Sequence, residues 1–520
     1  MKYFLHSTIM ALATLLSACG GGGGGGGGAN NNPPPPPPPP AQTDFQAGIF
    51  RSASLYEDMC LIPRAGTSDT QGTTEDENNW LRSWSNDLYL WYDEITDADP
   101  AAHTTPDYFD LMKTFATTPS GSPKDNFHFT QDTAEYQQLV QSGVQAQYGA
   151  DWDLLSASPP REALFVYVQA GTPAAAAGVE RGDRILQIDG EDFINGNNVP
   201  VLNDGLFPDD GDTHEFVISS FDGTNERTVT MTAEEITIAP VPLTDTFPTP
   251  QGPVGYLYLV SYLGTTEEAL IDAFNAFDAA GVTELVLDVR YNNGGLLDIA
   301  NQLAFMIAGP AAAQGRVFDE LIFNDKHLST NPVTGAALAP KNFITTTQGF
   351  SVPAGNALPS LNLSRVYLLV GPGTASANES IINGLLGIDF DVILVGDRTT
   401  GKPFGFYPTD NCGTTYFSVQ FQTVNEKGFG DFSDGFVPTE TPTLAHEVQG
   451  CPVNDDFGSE LGEVTEARLA TALGLIDNLD CAAATPVVSA PPTLGRRVIS
   501  GAIPENSVRA QTFWPGTILR

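Results

Sequence analysis

The larger, C-terminal part of this chain predicts an α/β fold built on a buried parallel sheet, preceded by a smaller β-rich module and a small helical N-terminal domain. Three observations lead to that reading. GYLYLV (255–260), ELVLDV (284–289), RVYLLV (365–370) and DVILVG (391–396) are short, mostly apolar and rich in β-branched residues, as strands covered on both faces must be. Between several of them lie helical patterns, TEEALIDAFNAFDAAG (266–281), LLDIANQLAFMIAG (296–309) and SIINGLLG (380–387), so strands and helices alternate as in a parallel sheet with crossovers. With 520 residues, 41% of them apolar, the chain has room for about three domains and a large core. Residues 310–362 interrupt the alternation and are expected to form hairpins over one sheet edge. Lys and Arg number 23 against 63 Asp and Glu, a net charge of -40, so the basic stripe that phosphate binding needs is missing and nucleic acid is a poor partner.

Taken from the N-terminus, residues 1–18 carry one Lys and then an apolar run from Ile9 to Leu16, the pattern of a secretory signal and too short to span a bilayer. Leu16, Ser17, Ala18 and Cys19 resemble a bacterial lipobox, which implies lipidation of Cys19 and, with Gly20 rather than Asp after it, an outer-membrane location, periplasmic or cell-surface. Gly20 to Gly28 are all glycine and Pro33 to Pro40 all proline. A nine-residue Gly coil spans about 17 Å and eight extended prolines add about 25 Å, so residues 19–44 read as a tether holding a folded body off a membrane. The four later cysteines, Cys60, Cys412, Cys451 and Cys481, form no CxxC pair and no His cluster, which speaks against a zinc or other metal site. In an exported chain an even count favours disulfides, and the expected pairs are Cys412 with Cys451 and Cys60 with Cys481.

From 45 to 140 apolar residues recur at helical spacing, and Trp80, Leu81, Trp84, Leu88, Leu90 and Trp91 read as one face of a helix packing a small N-terminal domain, with no chemistry assigned to it. The period then changes. ALFVYV (163–168) reads as a strand, GTPAAAAG (171–178) as a turn entering a short helix, and RGDRILQIDGEDF (181–193) as a tight turn and a hairpin. GTPAAAAGVERGDRILQIDG resembles the most recognisable block of PDZ domains, which implies such a domain over 141–236. That resemblance further implies capture of a peptide C-terminus as an added strand, with Tyr148, Gly149 and Ala150 where the carboxylate loop falls.

Two strand ends in the α/β region carry candidate chemistry, because loops and helix N-termini are exposed there. At Asp288–Gly295 the paired Gly294 and Gly295 let a backbone N–H face a ligand. At Gly371–Glu379, Ser376 sits on a strand-to-helix turn with the N–H of Ala377 beside it as an oxyanion donor. A serine nucleophile needs a base. Of six His, His327 and His446 are conceivable, whereas Lys402 lies in a Gly-flanked turn just after the next strand. An ordinary lysine is about 0.04% neutral at pH 7, so Lys402 could serve only if burial lowered its pKa by about three units.

In this order, VGYLYLVSY (254–262), LVLDVRYNNGG (285–295), GPGTASANES (371–380) and VGDRTTGKPFG (395–405) resemble the carboxyl-terminal processing, or tail-specific, serine peptidases. The resemblance implies a catalytic domain over 237–482, ahead of a tail at 483–520. It implies that Ser376 attacks the scissile carbonyl, that Lys402 takes its proton, and that Gly294 or Gly295 and Ala377 hold the oxyanion. Glu379 and Thr399 would support them. No cofactor is implied, and the partners are polypeptide tails. One departure stands out: Pro403 and Phe406 occupy positions where the best-known members carry Gly and a Gln that orients the lysine. Two alternatives accompany this reading: a catalytically inactive PDZ-containing binding protein on the same fold, or a serine hydrolase using a His base.

Overall fold

A computed structural model describes residues 45–484. The signal, Cys19, the Gly/Pro tether and the tail beyond Ala484 lie outside the described residues. Among the described residues no helix is long and apolar enough to cross a membrane, and no cluster of His, Cys, Asp and Glu could hold a metal ion.

The main sheet has seven strands in the order Leu243–Thr249, Gly252–Tyr258, Glu284–Asp288, Arg365–Val370, Asp391–Gly396, Glu447–Pro452, Val437–Thr439. The first pair is antiparallel and every later pair is parallel. Helices Thr266–Ala279, Leu297–Ala313 and Ala377–Gly387 connect strands, and their apolar residues share one core with Leu285, Leu287, Leu368 and Leu394. On the other face Tyr256, Tyr258, Tyr367 and Leu369 pack with Leu469, Ala472 and Ile476 of helix Ala467–Ile476. Both faces are covered, which is why the strand sequences run apolar without alternation.

Residues 310–362 do form antiparallel pairings, but not over an edge of this sheet. Strand Val317–Phe323 instead joins a separate four-stranded sheet, pairing with Lys341–Asn342 on one side and with Phe421–Val424 on the other. The outer strand of that sheet, Phe404–Gly405, follows Lys402 directly. The pairing with Phe421–Val424 is non-local, with about a hundred residues between its partners, and local sequence carries no trace of it.

The central module is a five-strand path ordered Arg227–Thr232, Thr213–Ser219, Arg184–Ile188, Glu162–Val168, Ala150–Ser156, with Ala150–Ser156 at its edge. It packs its own core of Phe165, Ile185, Ile188, Phe216 and Ile218 under helix Val199–Leu206. Arg181 ties the module to the main sheet, donating to Tyr291 Oη at 2.8 Å and reaching the Asp455 carboxylate at 3.1 Å.

In the N-terminal region helix Thr74–Leu88 starts at a Thr73/Asp76 capping box and buries Trp80, Leu81 and Trp84 against Tyr108, Phe109 and Met112. The apolar stripe is not one helix face. The helix ends at Tyr89, and Tyr89, Leu90 and Trp91 turn away to pack on Phe404 and Val419 of the α/β domain. A second link is strand Phe129–Asp132, which pairs with Thr414–Phe417. The disulfides also differ from expectation: Cys60 bonds Cys412, and Cys451 bonds Cys481. Docking of the N-terminal region on the Thr409–Asn411/Thr414–Phe417 hairpin brings Cys60 to Cys412, with the Asp58 N–H donating to Asn411 Oδ1 at 3.0 Å. The chain after helix Ala467–Ile476 folds back on strand Glu447–Pro452, bringing Cys481 to Cys451.

Candidate active site

Strand Arg365–Val370 and helix Ala377–Gly387 are joined by a turn that Thr374 braces, its hydroxyl donating to Val289 O and accepting from Gly371 N. Ser376 ends that turn with φ 57° and ψ -110°, a conformation rare for a residue with a side chain. Such strain costs on the order of 1–3 kcal/mol and persists only where the surroundings over-determine it. Here they do. The Ser376 N–H donates to Glu379 Oε2 at 2.9 Å, and helix Ala377–Gly387 begins at the next residue. Ser376 is 1% exposed.

The neighbouring strand Asp391–Gly396 delivers the lysine. Its following loop is stitched to the serine turn by Thr400, whose N–H donates to Thr374 O at 2.9 Å and whose hydroxyl donates to Pro372 O at 2.6 Å. Glu379, fully buried, closes the arrangement. Its Oε1 accepts from Thr399 Oγ1 at 2.6 Å and Gly401 N at 2.7 Å, and its Oε2 accepts from Lys402 N at 2.8 Å. One carboxylate oxygen thus binds the backbones of both Ser376 and Lys402. Burial raises the Glu379 pKa above the usual carboxylate range, and the hydrogen bonds from Thr399, Lys402, Gly401 and Ser376 act against that rise. Gly401 has φ +90°, and a Cβ there would meet Ser433 O at 2.5 Å, so the loop admits only glycine at this point.

Lys402 is 5% exposed, with Nζ 4.4 Å from the centre of the Phe406 ring and 5.1 Å from that of Phe127. Burial pushes its pKa down to about 7, opposed by the charges of Asp125 and Glu379. At that value about half of the lysines are neutral at pH 7. Phe406, the departure noted from the resembled family's glutamine, gives the amine an apolar wall rather than a hydrogen bond.

The first strand end meets the serine turn directly. A Cβ on Gly294, which has φ +109°, would lie 2.8 Å from Ser376 Cβ and 3.1 Å from Ala377 N. The Gly294 N–H donates to Asn292 Oδ1 at 2.8 Å, so in this structure it is committed to its own loop. Ala377 is the first residue of its helix, where the backbone N–H has no carbonyl one turn back to bond. Gly295 adjoins Tyr262 in an isolated bridge, and Leu296 N donates to Tyr262 O at 2.9 Å. Three residues that lie in the motifs quoted above but were given no role there hold these loops together. Asn292 Nδ2 donates to Leu259 O, Asn378 Nδ2 donates to Asn292 O at 2.6 Å, and Tyr262 Oη donates to Asn378 Oδ1 at 2.8 Å. Asn292 and Asn378 stand inside the two motifs singled out above, and their burial is the signal that composition could not supply.

The two candidate histidines lie elsewhere. His327 sits against Asp87 of the N-terminal helix, and the His446 carbonyl accepts from Val437 N between two strands at the edge of the main sheet. In the central module the Tyr148–Ala150 turn precedes the edge strand; Tyr148 Oη donates to Gly205 O at 3.1 Å, and Gly149, with φ +79°, lies against Thr172.

Residues 253–406 match peptidase family S41 and residues 164–199 match the PDZ domain. The carboxyl-terminal-processing protease of Picosynechococcus sp. is 29% identical over 305 residues, covering 57% of this chain and 65% of the relative. The chloroplastic C-terminal processing peptidase of Tetradesmus obliquus is 28% identical over 269 residues, covering 49% of this chain and 51% of the relative. The chain thus spans between half and two thirds of the length of these relatives. A solved Bacteroides fragilis structure ascribed to the S41 proteases superposes with a TM-score of 0.56 at 23% identity, covering 77% of this chain and 97% of its own, and supports the fold.

Proposed function

We propose that this chain, which carries an S41 peptidase domain behind a PDZ domain, is an exported serine-type endopeptidase that selects polypeptides by their C-termini and cuts them with a Ser376/Lys402 dyad. The observation that carries this reading is the Glu379 carboxylate bonded to the backbones of both residues, beside a lysine whose pKa burial lowers to about 7.

The chemistry follows from the groups present. Neutral Lys402 accepts the Ser376 proton as Oγ attacks the scissile carbonyl carbon. The oxygen of the tetrahedral adduct takes its negative charge beside the Ala377 N–H, with Gly295 N–H as second donor, or Gly294 N–H once it leaves Asn292. Lys402 then returns the proton to the departing amine. Water, deprotonated by Lys402, releases the acyl group and restores Ser376. Recognition falls to the central module. A peptide tail can add to edge strand Ala150–Ser156 with its carboxylate at the Tyr148–Ala150 turn. Lipidation at Cys19, with the Gly/Pro tether, would hold the body at the outer membrane. A Cys19→Ala chain should leave the membrane fraction; continued association would remove the anchor from this reading.

The test of the activity is digestion of an unstructured polypeptide by the purified chain. Cleavage that falls by about 10⁴-fold or more in Ser376→Ala supports the peptidase reading. An uncut substrate, or equal cutting by Ser376→Ala, overturns it in favour of a PDZ-bearing binding protein or another hydrolase.

A further inference from the structure

We propose that Asp125 and Phe127, supplied by the N-terminal region rather than by the α/β domain, are positioning residues that set the protonation of Lys402. This inference rests on reading Lys402 as the base. Its footing is the geometry of one pocket. The Phe127 ring lies over Nζ at 5.1 Å and packs both with the Phe406/Phe417 cluster, where Phe129 stacks on Phe417 at 4.3 Å, and with Phe404, which Trp91 meets edge-on at 4.8 Å. Phe127 and Phe406, the two rings at Nζ, come from segments nearly three hundred residues apart in sequence, and Phe129 and Trp91 add further N-terminal residues to the packing around them.

Asp125 is 3% exposed and held at both oxygens: Tyr89 Oη donates to Oδ2 at 2.7 Å and Phe127 N donates to Oδ1 at 2.8 Å. Tyr89 Oη in turn accepts from Thr114 N at 2.9 Å. Burial raises the Tyr89 pKa far above its usual value, so the phenol keeps its proton and remains a donor. These partners of Asp125 are neutral, and buried His128, on which Asp125 also acts, has its pKa pushed down by burial to about 4 and is neutral near pH 7 as well, which leaves the Asp125 charge to act through a poorly screened interior on Lys402. Glu379, from the serine helix, is the other acid that acts on the amine. The two N-terminal residues therefore pull in opposite directions. Asp125 favours the ammonium form, and Phe127, by excluding water, favours the free amine.

That opposition gives a test which a purely structural role would not pass. The full chain contains seven lysines, so with ¹³C-labelled lysine side chains the Lys402 resonance can be assigned by its loss in Lys402→Arg and titrated by NMR. Asp125→Asn should lower the Lys402 midpoint by about one pH unit, tenfold in the ionisation constant, and Asp125→Glu should restore it. Phe127→Ala, or Phe127→Leu where the smaller residue impairs folding, should raise it. The acid limb of the kcat/KM profile should follow in each case. Unmoved midpoints, or shifts of one sign in both variants, would overturn the proposal. Because the titration needs no turnover, a chain that cuts nothing yet shows the opposed shifts would sink the peptidase reading and leave this inference standing.

Discussion

The serine turn and the lysine pocket are adjacent in space and differ in how they are made. Ser376, Thr374, Ala377 and Glu379 lie within six residues, and the turn's principal bonds run among themselves and to the adjacent strand end at Val289 and Asn292. Lys402 takes its backbone position from Glu379, but its environment comes from Phe406 and from Phe127 and Asp125 in the N-terminal region. One half is built on a single strand–turn–helix braced by the neighbouring strand end. The other is assembled by docking, and stays intact only while the N-terminal region stays in place.

Substitutions can separate the two halves. The largest effect belongs to the proposed base. Lys402→Ala should lower peptide hydrolysis by about 10²–10⁴-fold, the range for a lost general base, and Lys402→Arg should be as impaired because a guanidinium keeps its proton. Recovery of activity in Lys402→Arg would mean that the residue acts as a charge and not as a base. Glu379→Gln comes next. An amide NH₂ would face backbone N–H donors where an oxygen now accepts, at about 1–3 kcal/mol for each group left unpaired, so a loss of about 10- to 100-fold is expected. Removing that negative charge also disfavours the ammonium form, so the acid limb of the rate profile should move to lower pH. A limb that moves up would break the electrostatic half of the comparison.

Gly294→Ala acts on the serine side alone. Its Cβ would sit 2.8 Å from that of Ser376 at a positive φ, so a loss of about tenfold in kcat is expected with no displacement of the pH profile. The smallest effect on chemistry belongs to Cys60→Ser. Removing the Cys60–Cys412 link should cost about 2–5 kcal/mol of stability, read by thermal unfolding, while molecules that remain folded retain most of their rate. A large fall in rate at unchanged unfolding temperature would show the disulfide acting on the pocket itself.

This difference also explains what could be read from the sequence. Strands Arg365–Val370 and Asp391–Gly396 coincide with RVYLLV and DVILVG because a strand buried on both faces writes its extent as an uninterrupted apolar run. The Ser376 turn was legible for the same reason, since glycines and a serine between strand and helix are a local signature. The lysine's walls were not. Trp91 lies in what reads as a helical stripe, and only the helix end at Tyr89, where the chain turns toward Phe404, reveals its place. Phe127 and Asp125 fall inside the 45–140 stretch that reads as helical, yet they lie in a loop just ahead of strand Phe129–Asp132. The disulfide pairs were misread because Cys60 finds Cys412 through the same docking. The paired glycines proposed as oxyanion donors lie where the sequence placed them, beside the serine turn, but commitment of the Gly294 N–H to Asn292 is a side-chain detail that spacing does not encode.

The central claim is that Ser376 is a nucleophile made reactive by a lysine that is half neutral near pH 7. The most direct measurement is the rate of covalent labelling of Ser376 by a fluorophosphonate as a function of pH, which needs no knowledge of the natural substrate. Labelling confined to Ser376, rising through a midpoint near pH 7 and falling by at least about 10²-fold in Lys402→Ala, is the predicted result. Equal labelling of the Lys402→Ala chain, or a wild-type midpoint at the pH of an ordinary lysine, would contradict it.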